Sequence, residues 1–498
     1  MTELAHPDRL AKIEAMRAQG IDPYPARGVV AEPITKLLGL VGTPEAPGPR
    51  HGTTATIAGR LLAQRDFGKL VFAPVQDREG RLQIGLERDR LGLEWWPKRK
   101  LFDGGDLVGA TGVLGHTKKG EPTLWVTELV LLAKAVAPPP EKWHGLVDVE
   151  ARYRRRYVDL WASEGVSAVF VKRSRIVSAI RRFLEAQGYI EVETPTLHPI
   201  LGGATARPFS THYNALDHDF FLRIAPELYL KRCIVGGLER VFEIARNFRN
   251  EGLSPRHNPE FSMLELYEAQ ADYRRMMEIA ETLIESVARE VNGTTQVKFR
   301  GEEYDVRAPF ERLSYLELFS KHAGCAYDDE PRVRAKAAAL GIPDPGNFAK
   351  LSNDVFEACV EDHLRGPVIV FDYPVEISPL AKRKPGMPRI AERFEVFLGG
   401  MELGNAFSEL NDPADQYQRF AEQVASKDPE APGEIDVDYV QALEYGMPPA
   451  GGLGIGIDRL VMVLTGQDTI RDVLLFPALR PRAPEAQATV APTATTEA

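Results

Sequence analysis

Residues 239–273 read ERVFEIARNFRNEGLSPRHNPEFSMLELYEAQADY and form the most informative segment of the chain. Two runs rich in apolar residues flank a polar loop, Asn250 to Pro259, which contains glycine and proline. This pattern is typical of two antiparallel strands joined as a long hairpin. Because side chains alternate along a strand, one face of the second strand is expected to carry Phe261, Met263, Glu265 and Tyr267.

Two residues of this hairpin indicate a binding site. Glu265 lies between apolar neighbours on its face, and a carboxylate in such surroundings is costly unless it has a partner. Arg249 ends the first strand, where its guanidinium can hold a phosphate or a carboxylate through two hydrogen bonds. A half-buried strand with no further role is the simpler interpretation of the same alternation.

A second strand pair is predicted in residues 392–412, which read ERFEVFLGGMELGNAFSELND. Gly399 and Gly400 form a two-residue turn, so that Leu398 pairs with Met401. Glu395 and Glu402 then become diagonal neighbours on one face, at a distance of about 7–8 Å. Two carboxylates at this separation can share Mg²⁺ ions that also hold a triphosphate.

Strict alternation places the next polar and aromatic residues of this segment on the opposite face. These residues are Asn405, Phe407 and Glu409. If they and the two glutamates line one pocket, a bulge near Gly404 must shift the register of the strand.

The third segment, Gly451 to Arg459, reads GGLGIGIDR and predicts a glycine-rich strand that enters a helix. Glycines allow another backbone or a ligand to approach closely. Arg459 falls in the first turn of the helix, where the backbone already favours an anion. Close packing of strand and helix is the plain alternative. The chain contains no P-loop, GxGxxG, HExxH or GxSxG pattern, so any nucleotide chemistry must use another architecture.

The composition is that of an ordinary globular protein. The 498 residues carry 61 Lys and Arg against 71 Asp and Glu, a formal net charge of −10. No apolar run approaches the ~18 residues of a membrane span, and the first residues lack the apolar core of a secretory signal. Cys233, Cys325 and Cys359 show no spacing that would indicate disulfides or a zinc site. We therefore expect a cytoplasmic protein.

The first part of the chain has a different pattern. Residues 53–133 contain five short alternating segments separated by glycines, which favours a small five-stranded oligonucleotide-binding barrel. The proline-rich run Ala137 to Trp143 predicts a stiff linker. The basic segment Arg152 to Tyr157 is either a solvated helix face or a phosphate-contacting surface. Further along, strands are expected to dominate residues 220–269, and residues 310–365 are expected to be helical.

Together these segments resemble class II aminoacyl-tRNA synthetases, most closely the bacterial lysine enzymes. Motif 1 resembles Lys172 to Pro195, motif 2 resembles Phe248 to Tyr267, and motif 3 resembles Gly452 to Met462. The stretch Gly202 to Arg232 is also similar to the lysine enzymes. The resemblance covers about residues 53–480, and class I signatures are absent from the sequence.

The resemblance implies an α+β fold, in which the barrel precedes a catalytic domain built on an antiparallel sheet flanked by helices. The expected divisions are a helical and extended lead-in (1–50), an anticodon-binding barrel (51–137), a linker (138–150), the catalytic domain (151–480) and a disordered tail (481–498). Lysine and ATP would give lysyl-adenylate and pyrophosphate, and the lysyl group would pass to the 3′ end of tRNA(Lys). Mg²⁺ is implied as cofactor, and a homodimer without membrane attachment is implied through motif 1.

The resemblance to the lysine enzymes also implies the roles of individual site residues, position by position. Arg249 and Arg459 would be catalytic, Arg249 on the lysine carboxylate and α-phosphate and Arg459 on the γ-phosphate. The remaining ATP contacts would be Glu251, His257, Asn258, Phe261 and Glu402. Glu395 and Glu402 would hold Mg²⁺. Gly203 and Glu227 would contact the α-amino end of lysine. The side-chain pocket would comprise Glu265, Tyr267, Asn405, Phe407 and Glu409, with Glu265 and Glu409 suited to an ε-ammonium group. A U-rich anticodon would be read by Arg65, Phe72, Gln83 and Glu121.

Three alternatives compete with this interpretation. The aspartate and asparagine enzymes share the barrel and the scaffold, but an acidic pocket does not suit their substrates. A shortened relative that attaches lysine to a protein lacks the barrel. A non-catalytic single-strand binder with an inactive synthetase domain would not need Arg249, Glu395, Glu402 and Arg459 together.

Overall fold

A computed structural model describes residues 4–140, 145–426 and 432–481. The predicted tail, apart from Pro481, and residues 141–144 of the predicted linker lie outside these ranges. The chain divides into two compact units. The first comprises residues 1–152 and 157–167, and the second comprises residues 153–156 and the chain from Ala168 onward.

The first unit begins with two helices, α1 (Pro7–Ala18) and α2 (Ile34–Val41). Its strands are β1 (Thr54–Leu61), β2 (Arg65–Asp66), β3 (Leu70–Gln76), β4 (Arg81–Glu87), β5 (Leu107–His116) and β6 (Pro122–Ala133). A short helix, α3 (Arg88–Leu91), and a 3₁₀ turn (Trp96–Leu101) connect β4 to β5. Two further short helices, α4 (Val149–Arg154) and α5 (Arg156–Ala162), follow near the boundary of the units.

The strands of the first unit close into a barrel, as predicted. Within residues 4–140 the order is β1-β5-β6-β4-β3-β2, and β1 also pairs with β3 through Leu61 and Val75. The two-residue strand β2 was not predicted as a separate element. It pairs with the start of β3 and forms a short hairpin with it. Met16, Ile34 and Leu37 join the barrel core. The lead-in, including the unpredicted helix α2, therefore packs with the barrel because its apolar side chains need a core to cover them.

The elements of the second unit occur in the following order. The first half contains α6 (Val166–Ala186), β7 (Ile190–Glu191), β8 (Leu197–His198), β9 (Ser210–Tyr213), β10 (His218–Leu222), α7 (Glu227–Val235), β11 (Arg240–Phe248), β12 (Glu260–Ala269), α8 (Tyr273–Asn292), β13 (Gln296–Phe299), β14 (Glu302–Asp305), β15 (Glu311–Ser314), α9 (Tyr315–Ala323), α10 (Glu330–Leu340) and α11 (Phe348–Val360). The second half contains β16 (Val368–Phe371), β17 (Arg383–Lys384), β18 (Met387–Ala391), β19 (Arg393–Phe397), β20 (Glu402–Ser408), α12 (Pro413–Ser426), α13 (Val437–Glu444), β21 (Ala450–Gly456), α14 (Ile457–Thr465) and α15 (Ile470–Val473).

The central sheet has, among the described residues, eight strands in the order β15-β16-β19-β20-β21-β12-β11-β7. The pairs from β16 to β11 are antiparallel, and the outermost pair at each edge is parallel. Helices α6, α8 and α14 bury apolar residues against this sheet, for example Ile180, Leu283 and Val461. The expected α+β class is confirmed: along the chain, a barrel is followed by an antiparallel sheet flanked by helices.

Three expectations about local structure need correction in part. Strands dominate residues 220–269 as expected, but Glu227–Val235 form the helix α7, which buries Leu228, Leu230 and Ile234. The region 310–365 is largely helical but begins with β15, which pairs with β16. The basic segment is not simply a solvated or phosphate-binding surface, since Arg156 is fully buried and donates to the backbone carbonyl of Arg471.

Candidate active site

Two rows of residues cross the middle of the central sheet and bring the predicted site residues together. The first row follows the pairing of β19, β20, β21 and β12 through Glu395, Asn405, Gly454 and Glu265. The second row runs two residues further along through Arg393, Phe407, Gly452 and Tyr267. Because residues two apart on a strand share a face, both rows face the same side of the sheet. All eight residues line one cavity of about 450 Å³.

The predicted bulge in β20 makes this arrangement possible. Val396 pairs with Gly404 and Phe397 pairs with Glu402, so Leu403 is the extra residue of the bulge. The shift brings Glu402 to the face that carries Asn405 and Phe407. The two-residue turn before it is also confirmed: Leu398 and Met401 exchange backbone hydrogen bonds, and Gly399 and Gly400 both have positive φ.

The glycine-rich strand β21 forms the floor of the cavity. A Cβ at Gly452 would lie 2.1 Å from Oε1 of Glu409 and 2.5 Å from the ring of Tyr267. A Cβ at Gly454 would lie 2.5 Å from the terminal methyl of Met263. The glycines therefore leave the space between β20 and β12 open, and their role is close approach rather than strand–helix packing alone.

Gly452→Ala is expected to lower the free energy of unfolding by about 1–3 kcal/mol, because the added methyl overfills a packed site. Denaturant unfolding of the variant measures the change. Gly366→Ala is the control, since nothing lies within 4 Å of the position that its methyl group would take and its φ is ordinary. Equal effects of the two substitutions would contradict the close approach at Gly452.

Glu265 is a buried carboxylate that has no cationic partner among the described residues. Its side chain is 4% exposed, and its only hydrogen bond there comes from the hydroxyl of Tyr267 at 3.2 Å. Burial raises the pKa of Glu265 to about 8, and the carboxylate of Glu227 is the second cause of this rise. The carboxyl group of Glu265 thus has no ion-pair partner of its own among the described residues, and an ammonium group bound beside it would stabilise its ionised form.

Arg249 presents the opposite charge at the junction of this cavity with a second one. Its Nε is buried and has no hydrogen-bond partner within the described residues, and its guanidinium lies 5.1 Å from the ring centre of Phe261. Burial lowers the pKa of Arg249, although Glu251 and Glu402 oppose this effect. A guanidinium that lines both cavities and has a buried Nε without a partner in the described chain can bind a carboxylate or a phosphate.

The second cavity, of about 140 Å³, shares Arg249, Met263, Glu402 and Asn405 with the first. Its other lining residues include Glu251, His257, Asn258, Phe261 and Arg459. The structure therefore brings together every residue predicted to contact ATP. Asn258 uses its side chain to fix the loop, since its amide donates to the carbonyl of Glu260 at 2.7 Å and accepts from the amide of Ala478 at 3.0 Å.

Arg459 and His257 form one edge of the second cavity. The guanidinium of Arg459 donates to the carboxylate of Glu402 at 3.0 Å and lies 3.3 Å from Nε2 of His257. Burial, followed by the charges of Arg459 and Arg249, lowers the pKa of His257, so the imidazole is neutral. Arg256 also lines this cavity. It was missed from the sequence, although it is the remaining cation of the polar hairpin loop.

Glu395 lines the first cavity and Glu402 lines both cavities, and this pair of carboxyl groups fits a hard divalent cation. Glu395 accepts hydrogen bonds from Arg393 at 2.6 Å and from Tyr373 at 2.8 Å. Burial raises the pKa of Glu395, and the negative charge of Glu402 adds to the shift. The described residues contain no group of three or more side chains that could hold a metal alone. Two carboxylates completed by substrate phosphates are the usual arrangement for Mg²⁺.

The remaining predicted pocket residues lie at the inner end of the first cavity. Gly203 adopts positive φ, and a Cβ there would lie 3.3 Å from the Cβ of Glu227. Glu227 lines the cavity, whereas Glu409 is only 1% exposed and lies over Gly452. Glu409 already has a cationic partner, Lys231, which also contacts Glu227 at 2.5 Å. The sequence interpretation missed Lys231, although Glu227 and Lys231 show the i, i+4 spacing of a helical ion pair.

The four residues predicted to read an anticodon cluster on one face of the barrel. Arg65 pairs across the strands with Phe72 and donates to Oε1 of Gln83 at 2.6 Å. Glu121 lies 4.0 Å from Arg65. Phe72 also packs edge-to-face on Trp125, with ring centres 5.9 Å apart. An aromatic ring beside polar groups is the arrangement on which proteins stack and read unpaired bases.

None of the helices in the described parts of the chain combines the length and the apolar character that a membrane span requires.

Comparisons with known proteins agree with this geometry. Residues 148–480 match the family described as tRNA synthetases class II (D, K and N), and residues 55–132 match the OB-fold nucleic acid binding domain. The lysine–tRNA ligase of Moorella thermoacetica is 51% identical over 95% of this chain and 97% of its own length. Those of Carboxydothermus hydrogenoformans and Magnetococcus marinus are 49% and 50% identical over 95% of this chain, and over 97% and 96% of their own lengths. The chain therefore belongs to the lysine–tRNA ligase family of class II aminoacyl-tRNA synthetases.

Proposed function

We propose that the two joined cavities bind lysine and ATP, form lysyl-adenylate, and transfer the lysyl group to tRNA(Lys). The observation that carries this proposal is the buried carboxylate of Glu265, which faces the first cavity without a cation. A ligand with a side-chain ammonium group supplies the missing charge. Aspartate and asparagine cannot supply it, so the acidic cavity disfavours the substrates of the related enzymes.

In the first cavity, lysine is held at both ends. Arg249 binds its carboxylate, while Gly203 and Glu227 face the α-ammonium group. Glu265 and Tyr267 receive the ε-ammonium group, and Asn405 and Phe407 flank the aliphatic chain. Glu409 is buried over Gly452 and contributes its charge from beside the cavity, where it contacts Lys231. The opposed charges at Arg249 and Glu265 fix the direction in which lysine enters.

In the second cavity, adenine stacks on Phe261 near His257, Glu251 and Asn258. Arg459 lies beside His257 at one edge of this cavity, where it can bind the γ-phosphate. A magnesium ion held by Glu395 and Glu402 would neutralise and bridge the charges of the triphosphate. Glu402 lines both cavities and Glu395 lines the first, which supports their assignment to the metal.

The chemistry requires positioning and charge stabilisation rather than an enzyme nucleophile. A carboxylate oxygen of lysine attacks the α-phosphorus, the new O–P bond forms, and the bond to the β-phosphate oxygen breaks to release pyrophosphate. Arg249 contacts both reacting groups and stabilises the charge that develops at phosphorus. In the second step, a ribose hydroxyl of the tRNA attacks the activated carbonyl, and AMP leaves.

The test of this function is ATP–pyrophosphate exchange without tRNA, measured with each standard amino acid. Exchange with lysine alone is expected. Exchange with aspartate or asparagine would still support a class II synthetase but would overturn the proposed specificity for lysine. Exchange with none of the amino acids would favour a non-catalytic binder or an activation step that requires tRNA. Measuring the binding of ATP with Mg²⁺ would distinguish these two alternatives.

The affinity for lysine is expected to depend on pH through Glu265. An ammonium group binds the ionised carboxylate, and the pKa of Glu265 in the empty pocket is about 8. Lysine therefore has to displace a proton below pH 8, and its KM is expected to fall about ninefold from pH 6 to 7 and about fivefold from pH 7 to 8. KM values from exchange assays over this range measure the slope. A lysine KM that does not change from pH 6 to 8 would contradict it.

We also propose that the barrel reads the anticodon through Arg65, Phe72, Gln83 and Glu121. Phe72→Ala is expected to raise the KM for tRNA(Lys) by about 5- to 100-fold, because it removes the stacking surface for one base. ATP–pyrophosphate exchange should not change. Leu93→Ala, which removes an exposed apolar side chain from the same unit, is the control. Equal tRNA kinetics in the two variants would contradict the assignment.

Finally, we propose the domain division 1–50, 51–137, 138–150, 151–480 and 481–498, a cytoplasmic location, and a homodimer. Exposed apolar side chains support the dimer: Val171 on α6 is 39% exposed, and Ile190 on the edge strand β7 is 53% exposed. A second copy would cover both residues. Sedimentation of the full chain would test this, and a monomer at micromolar concentration would contradict it.

A further inference from the structure

Lys231 lies beside the amino-acid cavity and contacts side chains that line it. It is fully buried on α7, one helical turn after Glu227, and its Nζ lies 2.5 Å from Oε1 of that residue. The same ammonium group forms an ion pair with Glu409 and lies 5.2 Å from the ring centre of Phe407. Its contacts therefore include two residues that line the cavity, Glu227 and Phe407.

The lysine keeps its charge in this position. Burial by itself lowers the pKa of Lys231, but the carboxylates of Glu227 and Glu409 more than compensate and raise it above its ordinary value. Lys231 is therefore a permanent cation at the inner end of the cavity. A buried ion pair of this kind is weak evidence for a stabilising role, because apolar residues of similar volume often replace such pairs without loss of stability.

The charges of the pocket balance only if Lys231 is counted. Glu227, Glu265 and Glu409 are three buried carboxyl groups, and they supply three negative charges when all of them are ionised. Lysine brings an α-ammonium and an ε-ammonium group, and its carboxylate is matched by Arg249. Without Lys231, one buried carboxylate would have no counter-charge when the substrate is bound, which is costly in a site closed to water.

We infer that Lys231 is a positioning residue that sets the charge of the amino-acid pocket, so that two negative charges remain for the two ammonium groups of the substrate. It holds Glu227 and Glu409 in place through its two ion pairs and does not contact the reacting atoms. The inference rests on the proposed function, because it takes the first cavity as the lysine pocket.

Chemical rescue tests this role. Lys231→Ala removes three methylene groups and the ammonium, and n-propylammonium has the same groups. The KM for lysine in ATP–pyrophosphate exchange is expected to rise about 100-fold in the variant, with the KM for ATP unchanged, because a buried ion pair has lost its cation. Millimolar n-propylammonium is expected to recover about tenfold or more of this loss. Propan-1-ol, which fills the same space without charge, should recover none.

Lys231→Met provides the second variant, since it fills the space with a neutral chain. It should show the raised lysine KM and respond to neither additive. An unchanged lysine KM in Lys231→Met, or equal rescue of Lys231→Ala by the alcohol and the amine, would overturn the inference. Thermal denaturation measures whether the two variants fold. If neither variant folds, Lys231 has a purely structural role and the inference is overturned. Lysine-dependent exchange by the unaltered protein separates failure of this inference from failure of the proposed function.

Discussion

Glu265→Gln is expected to lower kcat/KM for lysine by about 1000-fold or more, while the KM for ATP stays the same. The substitution keeps the shape of the side chain but removes a buried carboxylate of the cavity that has no ion-pair partner among the described residues. A site built around a buried charged contact discriminates by factors of about 10⁴ when that contact is lost. Steady-state exchange kinetics with varied lysine and ATP measure both constants.

Glu268→Gln is the matched control for this experiment. Glu268 lies on the same strand and is also buried, but it faces the other side of the sheet and pairs with Arg240 at 3.0 Å and Arg275 at 3.3 Å. Its substitution is expected to lower the melting temperature without changing the lysine KM. A normal lysine KM in Glu265→Gln would remove the basis of the proposed specificity.

Arg249→Gln is expected to reduce kcat by about 1000-fold or more and to weaken both substrates. Its guanidinium lies where the two cavities meet, and its Nε has no partner in the described parts of the chain. Removal of a donor that stabilises charge in the transition state typically costs about 10²–10³ in kcat, and here ground-state contacts to both substrates are lost as well. Single-turnover formation of lysyl-adenylate measures the chemical step directly.

Arg249→Lys distinguishes the role of geometry from that of charge. Lysine keeps the positive charge but cannot make two parallel hydrogen bonds, so we expect it to recover little of the loss. Arg246→Gln is the control and should behave as the unaltered protein, since Arg246 lies on β11 three residues before Arg249 and its side chain is exposed. Full activity of Arg249→Lys would show that a point charge is sufficient and would contradict the bidentate contact.

Much of the site could be predicted from the sequence because it rests on the two-residue period of strands. That period placed Glu265 and Tyr267 on one face, and the same period showed that a bulge near Gly404 was needed to bring Glu402 and Asn405 together. Local turn chemistry identified Gly399 and Gly400. Each of these predictions depends on residues close together in the chain, where covalent geometry limits the choices.

The parts that could not be predicted depend on tertiary contacts between distant residues. Helix α7 lies within a stretch interpreted as strands, since its apolar residues are buried by elements that are remote in sequence. The partnership of Lys231 with Glu409 joins residues that no local pattern connects. Whether a buried charge is paired decides its role, so the sequence could name Glu265 and Glu409 but could not show that only Glu409 already has a cation.

The most direct test of the proposed specificity is calorimetric binding of lysine and of norleucine to the unaltered protein. Norleucine has the same carbon chain and lacks only the ε-ammonium group, so the difference in affinity measures what Glu265 and its surroundings recognise. We predict that lysine binds and that norleucine binds about 1000-fold more weakly or not at all. Affinities within tenfold of each other would contradict the claim that an uncompensated buried carboxylate selects the substrate.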